Sequence, residues 1–191
     1  EVLPLRIRAL AQLARPAEAE RLIAGHGARV TEPQRRMYAR SLAWGWIRAG
    51  DIARARRAAE QGGGEEEDVV SGWLALFDGD LEAARRGLRT ADEKSSDVVT
   101  ALAFISRTRQ VRTPAIGAAF LALARGDSAQ ASRSFEQAAE SVPDAAPFLL
   151  GLAARVASAR RDDARAIGLW TRLVEQYAAS PEAPEADLEW A

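Results

Sequence analysis

The stretch Ala115–Pro143, AIGAAFLALARGDSAQASRSFEQAAESVP, decides how the rest of the chain is read. A run of small and apolar residues leads into Gly126-Asp127. Ala131 follows four positions after the aspartate, Phe135 four beyond that, and Pro143 closes the unit. The aspartate sits in a tight turn, where a short acceptor side chain can cap the helix that follows. The same order of residues recurs as Gly50-Asp51…Ala55…Ala59, Gly79-Asp80…Ala84…Leu88 and Arg161-Asp162…Ala166…Trp170. A fainter copy is Arg15-Pro16…Ala19…Ile23. Self-similarity of this kind points to a stacked helical array, and such arrays bind partners on a surface rather than perform chemistry.

Working outward, apolar residues fall at helical spacing almost everywhere, and alternating strand patterns are lacking. The spacing predicts helices at 3–14, 17–25, 33–48, 51–61, 66–78, 80–91, 97–109, 114–125, 128–140, 145–160 and 162–178. Thr31-Glu-Pro33, Thr113-Pro114 and Pro143–Pro147 place a capping residue or a proline where a helix should begin. Gly62-Gly-Gly64 is the most flexible joint, and Glu65–Asp68 puts negative charge in the next first turn, where the helix dipole favours it. Pro181–Ala191 reads as the opening of another helix, so the native chain is expected to continue beyond it.

The chain has 191 residues, enough for a continuous core, and a formal net charge of −1. A balanced charge argues against a dedicated nucleic-acid or anionic-membrane binder, whose affinity needs clustered positive charge. Lys94 is the only lysine, and with the many alanines this is read as the mark of a GC-rich genome. Cysteine is absent, which excludes disulfides, thiolate catalysis and thiolate metal sites. The longest uncharged run, Thr113–Ala124, falls short of the roughly 18 residues that span a bilayer.

The pattern resembles the tetratricopeptide repeat, a helix–turn–helix unit of about 34 residues. In the best copy Ala119, Gly126-Asp127, Ala131, Phe135, Ala138 and Pro143 fall at the family's spacings. A second supplies Gly72, Gly79-Asp80, Ala84, Leu88 and Ala91; a third supplies Ala154, Asp162, Ala166, Trp170 and Leu173. The resemblance implies an all-α, right-handed solenoid of antiparallel helix pairs with about five degenerate repeats. Trp170–Tyr177 followed by Ser180–Ala186 is also similar to repeats of bacterial cell-envelope assembly proteins. The signature alanines at 19, 55, 84, 131 and 166 leave one interval of 47 residues, about 13 longer than the usual repeat. That excess matches an atypical helix near 97–109. It is expected to join blocks 1–95 and 110–191 of a single 1–191 domain.

In this family the first helix of each pair lines a concave groove. Counted back from each turn, one groove position is held by Trp44, Trp73, Phe120 and Arg155. Neighbouring positions hold Met37, Arg40 and Arg48; Glu66, Val69 and Phe77; Ile116; and Phe148. Aromatics flanked by arginines form a natural peptide-binding strip, because both residue types concentrate interface energy. The competing reading is that these rings pack between successive first helices. Trp46 and Trp170 are assigned to packing.

The remaining features have simpler explanations. His26 lies between Gly25 and Gly27 at a helix end, with no histidine or cysteine near it for a metal. Arg125-Gly-Asp127 spells an adhesion tripeptide but falls in the interhelical turn. Gly62–Gly64 lacks the Lys-Ser/Thr of a phosphate loop, and Glu65–Asp68 lacks calcium-loop spacing. The arginine pairs 35–36, 56–57, 85–86 and 160–161 are interspersed with acids, as on a solvated helix face. No catalytic constellation is present, since a Ser-His-Asp arrangement would rest wholly on His26.

The sequence therefore predicts a non-enzymatic, bacterial interaction scaffold without cofactor or metal, holding a protein or peptide in its groove. Arg40, Arg48 and Arg155 would meet the guest's carboxylates. Two alternatives stand beside it. One is the sensor or scaffold half of a larger regulator or envelope-assembly protein. The other is a self-association module stacking through terminal repeats, with Leu188-Glu-Trp190 as an apolar end. Nucleic acid and membrane insertion are not expected. Cytoplasm and periplasm both fit, with the envelope favoured.

Overall fold

The computed structural model describes residues 2–91 and 95–189, with backbone alone at 28, 65–66 and 187–189. The described residues form twelve α-helices, two short 3₁₀ turns and no strand. The helices are α1 (Val2–Gln12), α2 (Pro16–Gly25), α3 (Glu32–Ala49), α4 (Ile52–Gly62), α5 (Gly64–Phe77) and α6 (Leu81–Arg89). Then come α7 (Ser96–Arg107), α8 (Pro114–Ala124), α9 (Ser128–Ser141), α10 (Ala146–Ala159), α11 (Asp163–Tyr177) and α12 (Ala183–Glu189). The 3₁₀ turns are Gly27–Arg29 and Pro143–Ala145. Proline opens α2, α3, α8 and α10, where its missing N–H costs no helical hydrogen bond.

The recurring sequence pattern is a recurring backbone. Gly50 and Gly126 are left-handed, with φ of 88° and 79°. In each turn two bonds close the preceding helix: Gly50 N–H to the Ile47 carbonyl and Asp51 N–H to Trp46, Gly126 N–H to Leu123 and Asp127 N–H to Ala122. Ala14 and Arg161, with φ of 54° and 61°, make the same pair of bonds although neither is glycine. Gly79 (φ 77°) supplies the fifth left-handed turn. Five residues after these positions stand Ala19, Ala55, Ala84, Ala131 and Ala166, all buried. Nine residues after the last three stand Leu88, Phe135 and Trp170, also buried. Asp51 and Asp127 cap their helices, accepting from the N–H of Arg54 at 2.9 Å and of Gln130 at 3.0 Å. Asp162 makes no such cap.

The chain divides into two compact units: residues 1–76 with 82–95, and 77–81 with 96–191. In the first, α1 packs on α2 and α3, and α3 on α4. There α5 and α6 cross at glycine: a Cβ on Gly87 would stand 2.6 Å from the Gly72 Cα and 2.5 Å from the Asp68 carbonyl oxygen. A Cβ on Gly45 would lie 3.1 Å from Ala11 and Pro16, so α3 also approaches its neighbours closely.

In the second unit α8, α9, α10, α11 and α12 pack each on the next. The extra helix α7 belongs to this unit rather than standing as a link between blocks. It ends two residues before the expected boundary, and the segment after it is tied down. Arg109 N–H donates to Asp144 Oδ2 at 2.8 Å, and Gln110 Nε2 donates to the Ser141 carbonyl at 3.1 Å. Residues 79–81 join the same segment through Thr113 N–H to the Gly79 carbonyl (2.8 Å) and Leu81 N–H to the Val111 carbonyl (3.0 Å).

Two outcomes follow. Gly87→Ala forces two helix backbones apart and should cost about 1–3 kcal/mol, read as a lower urea midpoint. Arg161→Gly removes a left-handed non-glycine residue from an exposed turn and should raise stability by roughly 0.5–1 kcal/mol in the same titration.

Candidate functional site

Five of the eight candidate groove residues (Met37, Arg40, Trp44, Arg48 and Trp73) belong to the first unit; Phe77, Phe120 and Arg155 belong to the second. The two sets have different surroundings.

In the first unit Met37, Arg40, Trp44 and Arg48 recur at three- and four-residue steps along α3, so they share one face of that helix. Met37 and Arg40 are exposed, and Trp44 and Arg48 are half-buried. Trp73 of α5, only 5% exposed, meets Trp44 edge to face at 5.7 Å between ring centroids and 68° between planes. That geometry brings the positive edge of one ring to the negative face of the other. The Arg48 guanidinium lies 5.8 Å from the Trp44 ring centre. Partial burial holds the Arg48 pKa below its usual value, because desolvation penalises the charged form. The result is a cation and an indole, both partly accessible, resting on a covered tryptophan.

The candidate positions of the second unit are covered by their own neighbours. Phe120, 3% exposed, is a core residue: its ring meets Phe135 edge-on at 5.1 Å and Phe104 at 6.2 Å. Phe104 comes from α7, the helix that lengthens the repeat interval. Phe77 is buried as well, as are Ile116 and Phe148. One guanidinium nitrogen of Arg155 bonds both carboxylate oxygens of Glu185 at 2.8 Å, so α12 engages the charge expected to meet a guest. Beside it Arg107 lies 4.4 Å over the Phe148 ring and pairs with the buried Glu182 at 3.3 Å. Val69 is buried in the first unit; the side chains of Glu65, Glu66 and Leu188, and all of Trp190, lie outside the described residues.

Trp46 and Trp170 are buried. The Trp46 indole N–H donates to Glu20 at 2.8 Å, and the Arg54 guanidinium stacks 4.6 Å over its ring. His26 donates from Nδ1 to the Leu22 carbonyl at 2.8 Å, which holds it at the end of α2. Gly126 and Asp127 are engaged in the turn described above. Among the described residues no group of three or more His, Cys, Asp or Glu could hold a metal ion, and no helix is long and apolar enough to cross a membrane.

Sequence reading missed one arrangement. Ser132 of α9 is fully buried and donates to the Ala153 carbonyl of α10 at 2.9 Å, while accepting from Arg165 Nε of α11 at 2.9 Å. Arg165 and Arg172 both pair with Glu136, tying α9 to α11. The only sequence signal was Glu136 and Arg172 on the helices flanking α10, which is too common to single out.

Comparison with protein-family models, curated proteins and solved structures finds no match to this chain.

The two tryptophans should separate in thermal melts followed by circular dichroism. Trp73→Ala removes a buried ring and should cost about 3–5 kcal/mol; Trp44→Ala should cost no more than about 2 kcal/mol, mainly the ring pair and partial burial.

Proposed function

We propose that this chain is a non-enzymatic interaction module that receives a peptide or partner protein on the α3 face carrying Met37, Arg40, Trp44 and Arg48. The repeats are read as degenerate tetratricopeptide-like units stacked as a solenoid. This is supported by the five left-handed turns, each followed at a fixed distance by a buried alanine. The observation that carries the functional reading is Trp44, held partly accessible between Trp73 and Arg48. An indole fixed by a covered neighbour loses little entropy on docking, and an adjacent desolvated arginine favours a carboxylate. The guest is accordingly a segment with an apolar or aromatic side chain next to an acidic one. Phe120 and Arg155 have no part in this face, because Phe135 and Phe104 cover the first and Glu185 holds the second.

A synthetic array of acidic–aromatic peptides tests the proposal. The native chain should bind a subset saturably. Trp44→Ala and Arg48→Ala should each weaken those peptides about tenfold, or about 1.4 kcal/mol, with the melting temperature within a few degrees of native. Unchanged binding in both variants would remove the face from consideration.

A second reading is self-association, and the exposed side chains of Val2, Leu5 and Leu13 along and just after α1 favour it. Sedimentation velocity over a hundredfold concentration range should then show a rising average mass, which Leu5→Glu with Leu13→Glu should abolish.

A further inference from the structure

We propose that the first unit contains a binding site for a small carboxylate with an apolar body, in a cleft that shares no residue with the Trp44 face. The cleft has a volume of about 540 Å³ and is bounded by α2, the 3₁₀ turn at 27–29, the first half of α3 and Gln61 of α4. That volume lies within the roughly 300–1,000 Å³ typical of small-molecule sites. Ile23, Val30 and Leu42 supply apolar wall, and Arg35, Tyr38 and Gln61 supply polar groups.

Tyr38 carries the argument. The residue lines the cleft and is only 2% exposed. Among the described residues its hydroxyl has no hydrogen-bond partner. A buried phenol normally finds one, because leaving it unpaired costs the desolvation of the group. Among the described residues the fully covered polar side-chain atoms without a partner are Trp170 Nε1 and Ser180 Oγ. The Tyr38 oxygen is not among them, so it keeps an opening, and the cleft is the space this residue lines. What remains to satisfy it is solvent or an acceptor on a ligand.

Charge selects the ligand class. Arg35 stands three residues before Tyr38, on the same side of α3, and also lines the cleft. Its guanidinium has no ion pair or hydrogen bond among the described residues, while its backbone N–H donates to the Thr31 carbonyl within the first turn of α3. The acid at the rim, Glu32, is engaged by Arg36 at 3.7 Å. An unpaired guanidinium and a phenol donor belong to residues lining the same apolar-walled space. A carboxylate can accept from both, while an attached ring or branched chain displaces water from Ile23, Val30 and Leu42.

Titration calorimetry on the whole chain tests this with three probes. 4-Phenylbutyrate carries both features, 4-phenylbutan-1-ol lacks the charge, and glutarate lacks the apolar body. Phenylbutyrate should saturate with a Kd on the order of 1 mM or tighter, the alcohol should bind at least about tenfold more weakly, and glutarate should show no saturation. Arg35→Met should weaken phenylbutyrate about tenfold. Tyr38→Phe should weaken it about fivefold and leave the melting temperature unchanged or higher, since it deletes an unpaired hydroxyl and keeps the ring. Absence of saturation by phenylbutyrate, equal binding of acid and alcohol, or native affinity in both variants would each overturn the assignment.

Discussion

The fold depends on how closely one helix can pass another immediately after a left-handed turn. At Gly50, Gly126, Arg161 and Ala14 the same two backbone bonds close one helix, and the next returns along it at short range. The side chain five residues on then faces its partner, and alanine fills that place every time. Where α5 meets α6 even a methyl group is excluded, and Gly72 faces Gly87. Alanines bury little area each, so they set geometry more than they stabilise it. The larger residues four positions later carry the apolar energy. Leu88, Phe135 and Trp170 are large and buried, whereas Ala59 occupies the equivalent place after Gly50. Repeats of identical backbone therefore contribute unequally to stability.

That same economy explains which candidate residues stay accessible. The position seven residues before each turn aspartate carries a large side chain in every copy, and its fate is decided by what lies beside it. Phe104 covers Phe120 because the long interval between repeats holds an additional helix within that unit. Glu185 holds Arg155 because α12 lies in reach of α10. Trp44 stays half-buried beside Trp73. Accessibility along the row is thus a property of neighbours and not of the residue at the position.

Arginine does two jobs in this chain that lysine could not combine. Its flat guanidinium stacks on Trp44, Trp46 and Phe148, and its several N–H donors reach carboxylates on other helices. Glu136, shared by Arg165 and Arg172, shows how a nearly neutral chain uses its charge: opposite signs sit on separate helices and tie them together. Among the described residues the Arg35 guanidinium, at the α2–α3 cleft, is one of the arginine side chains that pair with no carboxylate.

Local rules were enough to read the helices. Glycine, aspartate and proline punctuate the chain, and the apolar spacing between them placed the first eleven helices within two residues of where they lie. Self-similarity also located the buried alanines, because each depends only on a turn five residues earlier. The left-handed backbone at Ala14 and Arg161 was invisible at the level of residue type, since glycine usually marks it. The site was legible only in part. Sequence could name Trp44, Phe120 and Arg155 as equivalent, but Phe104, Phe135 and Glu185 reach them from other helices, and such encounters are fixed by tertiary packing. The Tyr38 cleft belongs wholly to that second category: residues between 23 and 61 become its walls only once α2, α3 and α4 have closed around the space.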